Sequence, residues 1–149
     1  MKRVALLLSA LLLLAACGKQ KAAAEPIEST PPTEETTMIL RIDGTEVPVT
    51  WESNESVQAL QALAPLTIHM SMYGGFEQVG SIGSSLPRND RQTSTAPGDL
   101  VLYSGNQLVV FYGTNSWAYT RLGHVDLTKE ELTALLSEHD VTITLEAEK

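Results

Sequence analysis

Pro97-Gly98-Asp99-Leu100-Val101-Leu102-Tyr103 and Gln107-Leu108-Val109-Val110-Phe111-Tyr112, separated by Ser104-Gly105-Asn106, are the two runs that decide the fold. Each follows a turn signal, and each is apolar on both faces rather than alternating. That pattern belongs to a central strand covered on both sides, here a barrel wall lying beneath a helix or loop. Working outward, Met38 to Ile42 alternates large apolar residues with Arg41, Asp43-Gly44 signals a tight turn, and Glu46 to Trp51 puts Val47, Val49 and Trp51 on one face. These form a hairpin. Ser53 or Asn54 can cap a helix in which Val57, Leu60, Leu63 and Ala64 recur at helical spacing before Pro65 ends it, and Leu66 to Met72 is a third strand. Thr128 and Glu131 make a capping box for a second helix with Leu132, Leu135 and Leu136 inward, and Val141, Ile143 and Leu145 alternate with polar residues in a closing strand. The fold expected is mainly β: a closed antiparallel barrel with the two helices over its open ends. An open α+β sheet is the alternative.

The domain so defined runs from Met38 to about Ala147. Ahead of it lie two segments of different character. Lys2 and Arg3 precede Val4 to Ala16, a nearly unbroken apolar run interrupted only by Ser9. It is too short for the roughly 20 residues an ordinary membrane-crossing helix needs, and it ends in Leu14-Ala15-Ala16-Cys17. That ending resembles the lipobox of bacterial lipoproteins, in which a small residue precedes a cysteine that receives a diacylglyceryl group. The reading is a signal peptide over 1–16, lipid attachment at Cys17, and a location on the extracytoplasmic side of a membrane, at the cell surface or in the periplasm. An ordinary secretory signal is the alternative. Cys17 is the only cysteine, so no disulfide can form within the chain. Residues 17–37 read as the lipidated cysteine and a tether, since Gly18 to Thr37 holds three prolines and one large aliphatic residue, Ile27, too little to offset its ordering entropy.

Charge narrows the partners. The whole chain carries 18 acidic against 10 basic residues. Cleavage before Cys17 removes Lys2 and Arg3 and leaves a formal charge of −10. Nucleic acid is thereby disfavoured, as is electrostatic adhesion to anionic lipid. The sequence shows no phosphate loop, no dinucleotide fingerprint and no Cys/His metal spacing, so neither a cofactor nor a metal is expected.

Tyr73-Gly74-Gly75-Phe76-Glu77, Gly80-Ser81-Ile82-Gly83-Ser84-Ser85-Leu86-Pro87, the two runs quoted first, and Asn115-Ser116-Trp117-Ala118-Tyr119-Thr120-Arg121-Leu122-Gly123 together resemble the bacterial cyclophilin-like domain family. The resemblance spans Met38 to Leu145 and implies an eight-stranded barrel capped by two helices. It also raises prolyl isomerase activity, which must overcome a twisting barrier of ~18–20 kcal/mol. True cyclophilins place an arginine beside an apolar proline pocket for that purpose. Met72-Tyr73-Gly74-Gly75-Phe76-Glu77-Gln78, the corresponding stretch here, has no arginine and carries an acid instead.

No residue set reads as catalytic; Ser84 and Ser85 lack the nucleophile-elbow pattern and any identifiable base. Tyr112, Asn115, Trp117, Tyr119 and Arg121, with Tyr73 and Phe76 on a loop over the barrel mouth, are the candidate ligand pocket, in which Arg121 would pair with an anion or stack on a ring. The plainer alternative makes Tyr112 and Trp117 core, Asn115 a turn former and Arg121 a solvated strand residue. Arg88-Asn89-Asp90-Arg91 is a donor-rich cluster or simply an exposed turn. Three functions follow: a binding module for a small molecule or peptide, a divergent prolyl isomerase, or a partner-docking surface without pocket chemistry.

Overall fold

In the computed structural model the described residues are 37–148. The signal sequence, Cys17 and the tether expected up to residue 36 lie outside them.

Both helices and seven of the ten strands follow the sequence signals. β1 (Met38–Ile42) turns inward at Met38, Leu40 and Ile42. Asp43 and Gly44, both at positive φ, then reverse the chain so that Ile42 pairs with Thr45 of β2 (Thr45–Val47). Pro48 interrupts the strand before it continues as β3 (Val49–Trp51). α1 (Glu55–Ala62) is capped by the Asn54 side chain, which accepts from the Val57 N–H at 2.9 Å. After it come β4 (Leu66–Tyr73), β5 (Glu77–Ser81), β6 (Arg91–Ser94), β7 (Asp99–Tyr103), β8 (Gln107–Phe111) and β9 (Ser116–Val125). α2 (Lys129–Leu136) opens with the expected capping box between Thr128 and Glu131, and β10 (Thr142–Ala147) ends the domain.

The strands hydrogen-bond in the order β2-β1-β10-β4-β5-β8-β7-β9-β3, all pairs antiparallel, with β6 pairing β9 off this path. The two ends of the path, β2 and β3, are halves of one strand bent at Pro48. Proline suits that corner because it has no N–H to leave unpaired. The wall therefore returns on itself as a nearly closed barrel. Counted once, the bent strand gives eight strands around the wall, and β6 is an extra strand laid along the first half of β9. The open-sheet alternative falls with this closure.

The interior is filled by Leu40, Ile42, Ile68, Leu100, Leu102, Leu108, Val110, Leu122, Ile143 and Leu145, and both helices add to it through Val57, Leu60, Leu132 and Leu136. Gln78, fully buried, ties α2 to the wall: its Nε2 donates to the carbonyls of Leu136 and His139 at 2.7 and 2.8 Å. A second, smaller apolar cluster of Val101, Val109, Phe111 and Tyr119, with Phe76 and Val79, lies on the opposite face of the same wall. Aromatic side chains, not a helix, cover the outer face of β7 and β8.

Candidate functional site

The outer cluster is the floor of a groove. Residues alternate across each strand, so Gln78, Gly80, Leu108, Val110 and Leu102 face the interior while Glu77, Val79, Val109, Gln107 and Tyr103 face out. Register sets them in rows. Tyr73, Glu77 and Phe111 are consecutive cross-strand partners, as are Val79, Val109 and Val101, and then Ser81, Gln107 and Tyr103. β9 adds Trp117 and Tyr119. Tyr73, Glu77, Val79, Tyr103, Gln107, Val109, Asn115, Trp117 and Tyr119 enclose a groove of about 380 Å³. That volume suits a small molecule or one side chain.

The floor is built of interlocking rings. Phe76 stacks on Phe111 with centroids 6.5 Å apart, and Tyr119 meets Phe111 and Tyr103 edge-on at 5.7 and 6.1 Å. Such offset and edge-on pairs are the arrangements that ring quadrupoles favour. The Asn115 amide donates to the Tyr119 hydroxyl at 2.9 Å, and the backbone N–H and carbonyl of Asn115 are both bound to the Thr95 hydroxyl, so the corner holding Tyr119 is fixed. The rim is open by contrast. Tyr73 is 67% exposed and Trp117 57%, and they belong with Tyr103 to the few large apolar side chains that the described residues leave in water.

Glu77 is the anomaly of this wall. It sits among rings at 7% exposure, and its Oε2 is sealed from solvent with no hydrogen-bond partner among the described residues. Burial pushes its carboxyl up to about 7. The same burial, with the Glu77 charge next, raises the Tyr119 phenol. No lysine, arginine or histidine lines the groove.

The structure brings together five of the seven pocket residues expected from the sequence and sets two, Tyr112 and Arg121, apart. Tyr73, Asn115, Trp117 and Tyr119 line the groove, and Phe76 packs into its floor. Tyr112 does not take part: it is buried in the barrel interior, because the alternation that turns Phe111 outward turns Tyr112 inward. Arg121 lies beyond Tyr119, on a separate polar cavity of about 330 Å³ with Asn54, Ser56, Arg88, Asn89 and Arg91. There its guanidinium donates to Asp99 at 3.0 and 3.4 Å and faces Glu52 at 3.6 Å. Burial raises the Asp99 carboxyl, but the Ala96 N–H, His124 and Arg121 outweigh it and hold the group below the ordinary carboxylate range. The placement also moves the site from the barrel mouth to the outer wall. Arg88-Asn89-Asp90-Arg91 leads into β6, with the Asn89 N–H on the Thr120 hydroxyl and that hydroxyl on Asp90, a tied segment rather than a free turn.

Sequence reasoning missed Glu77 and Tyr103. The signal available was two-residue spacing: a lone acid two positions before Val79 on a strand whose other face carries Gln78 and Gly80. Among the described residues no group of three or more His, Cys, Asp or Glu could hold a metal.

Comparison with known proteins agrees with this architecture. No curated protein matches the chain. Among solved structures, that of McbB in complex with tryptophan aligns with a TM-score of 0.53 at 14% identity, covering 75% of this chain and 45% of McbB. The chain thus spans less than half of McbB, and the likeness is one of fold. The model of the cyclophilin-like family matches residues 40–146, nearly the whole described domain: the chain belongs to the cyclophilin-like family.

Proposed function

We propose that this protein is an extracytoplasmic lipoprotein whose cyclophilin-like domain is a binding module, taking a small molecule or a peptide side chain into the outer-wall groove. The observation that carries the reading is the combination of an ordered aromatic floor with an exposed aromatic rim. A side chain left in water at Tyr73 or Trp117 contributes little to the fold, whereas rings around a concavity are what a ligand would cover. The sequence from Lys2 to Cys17 supports the address. The isomerase alternative loses ground, since no arginine lines the groove and Arg121 is engaged by Asp99 and Glu52.

A thermal-shift screen with Trp117→Ala as control tests the reading. Any ligand selective for the folded state raises stability by RT ln(1 + [L]/Kd), about 2.7 kcal/mol at a hundredfold excess. Tryptophan, the compound bound by the fold neighbour, is the first probe, followed by other aromatic and proline-containing compounds. Trp117 is exposed, so its truncation should change stability by no more than about 0.5 kcal/mol while weakening binding at least tenfold. A ligand bound equally well by Trp117→Ala would place the site elsewhere.

A further inference from the structure

The buried, unpartnered Glu77 carboxyl under the aromatic groove points to the chemical class of the ligand: we infer that the groove takes an ammonium group joined to an apolar body, with Glu77 as its counter-ion. This inference rests on the groove being the binding site and goes further by stating what enters it. Three observations converge. Glu77 lines the groove while more than nine-tenths buried, and its Oε2 has no hydrogen-bond donor among the described residues. Every charged partner within the protein that would satisfy it is missing from the lining, which holds only Gln107 and Asn115 as side-chain amides, and the Asn115 amide is given to Tyr119. Four aromatic side chains, Tyr73, Tyr103, Trp117 and Tyr119, line the same groove. Such rings attract a cation through their quadrupoles, most strongly when it is desolvated, and they cover its apolar body.

A ligand without donors would leave the carboxyl unsatisfied, and a neutral hydroxyl could donate one hydrogen bond to it but would bring no opposing charge. An anion would be repelled by it. An ammonium supplies the missing donors and the opposing charge at once, and a hydrogen bond between charged groups is about twice as strong as a neutral one. The chain is acidic overall, which raises the local concentration of cations rather than excluding them.

Binding should then depend on pH through Glu77. A cation requires the ionised carboxyl, and the fraction ionised rises about tenfold from pH 6 to pH 8 for a group that titrates near 7. The other titratable groups lining the groove are the phenols of Tyr73, Tyr103 and Tyr119. Burial raises the Tyr119 phenol further from this range, and an alkyl ammonium keeps its charge to about 10, so the pH dependence is assigned to the carboxyl.

The test is isothermal titration of the full-length chain, purified in detergent, with phenethylamine and with 2-phenylethanol, which share ring and length and differ in ammonium against hydroxyl. The amine is expected to bind at least tenfold tighter, about tenfold tighter at pH 8 than at pH 6, and Glu77→Gln should abolish both differences. Equal binding of amine and alcohol overturns the cation assignment and leaves the groove standing as a neutral site. Binding of neither overturns it as well, and so does a preference for the amine that survives in Glu77→Gln, because the selectivity would then come from the protein's general acidity. The alcohol arm separates the two levels of the reading: its binding, lost in Trp117→Ala, reports on the groove alone.

Discussion

Glu77 makes the fold less stable at the pH where it is most useful. Its folded value of about 7 stands above the 4.5 of an ordinary glutamate. The folded protein therefore holds a proton that the unfolded chain has already released, and stability falls as pH rises between those two values. At about 1.36 kcal/mol per unit the loss amounts to about 3 kcal/mol, complete above pH 7 and absent below pH 4.5. Glutamine has the same shape without the charge. Glu77→Gln should thus raise the stability measured by urea unfolding at pH 8 by roughly that amount and change it little at pH 4.5. A gain independent of pH would mean that shape, not ionisation, sets the cost. A residue whose ionised side chain weakens the fold and whose buried Oε2 finds no hydrogen bond among the described residues is the kind of position where local consistency gives way to function.

Closure of the barrel depends on how near β3 can come to β9. Trp51 pairs with Gly123, and a Cβ at Gly123 would stand 2.6 Å from the Thr50 carbonyl oxygen and 3.2 Å from the Trp51 Cα. Both neighbours are backbone and cannot swing aside. Gly123→Ala should push β3 off β9 at a cost of about 1–3 kcal/mol, and hydrogen exchange should quicken at Glu52, whose N–H is given to the Leu122 carbonyl, before it quickens in β1 or β10. Uniform loss of protection would show that the seam is not a local weak point. Elements with strong local signals, the Asp43-Gly44 hairpin, both capped helices, β7, β8 and the alternating β10, are legible in the sequence. β5, β6 and β9 are not, because Gly80 interrupts the first, Arg91 to Ser94 is polar throughout, and β9 mixes exposed Ser116 to Ala118 with buried Tyr119 and Leu122. These strands are held by partners distant in sequence, and β5 and β9 carry four of the nine groove residues. Trp117 and Tyr73 could be singled out as aromatics near glycine turns. Tyr112 and Phe111 could not be told apart, since a run apolar on both faces does not reveal which face is inside.

At the scale of the whole molecule, the groove and the proposed anchor constrain one another. On the proposed cleavage before Cys17, the chain would carry a formal charge of −10 and be repelled by anionic headgroups, so residence at a membrane would have to come from the proposed lipid at Cys17. Two acyl chains hold stably where one does not, each buried CH₂ contributing about 0.8 kcal/mol. Cys17→Ser should therefore move the protein from the detergent phase to the aqueous phase on Triton X-114 partition of whole cells. No other part of the described chain should compensate, as no helix among the described residues is long and apolar enough to cross a membrane. Groove binding measured on the released variant should match that of the anchored protein, since Cys17 lies 21 residues before the first strand and the groove is built wholly from β4, β5, β7, β8, β9 and the residues flanking them. Retention of Cys17→Ser in the detergent phase with residues 1–16 already removed would overturn lipid attachment. A released variant that failed to bind would instead show that the membrane surface contributes part of the site.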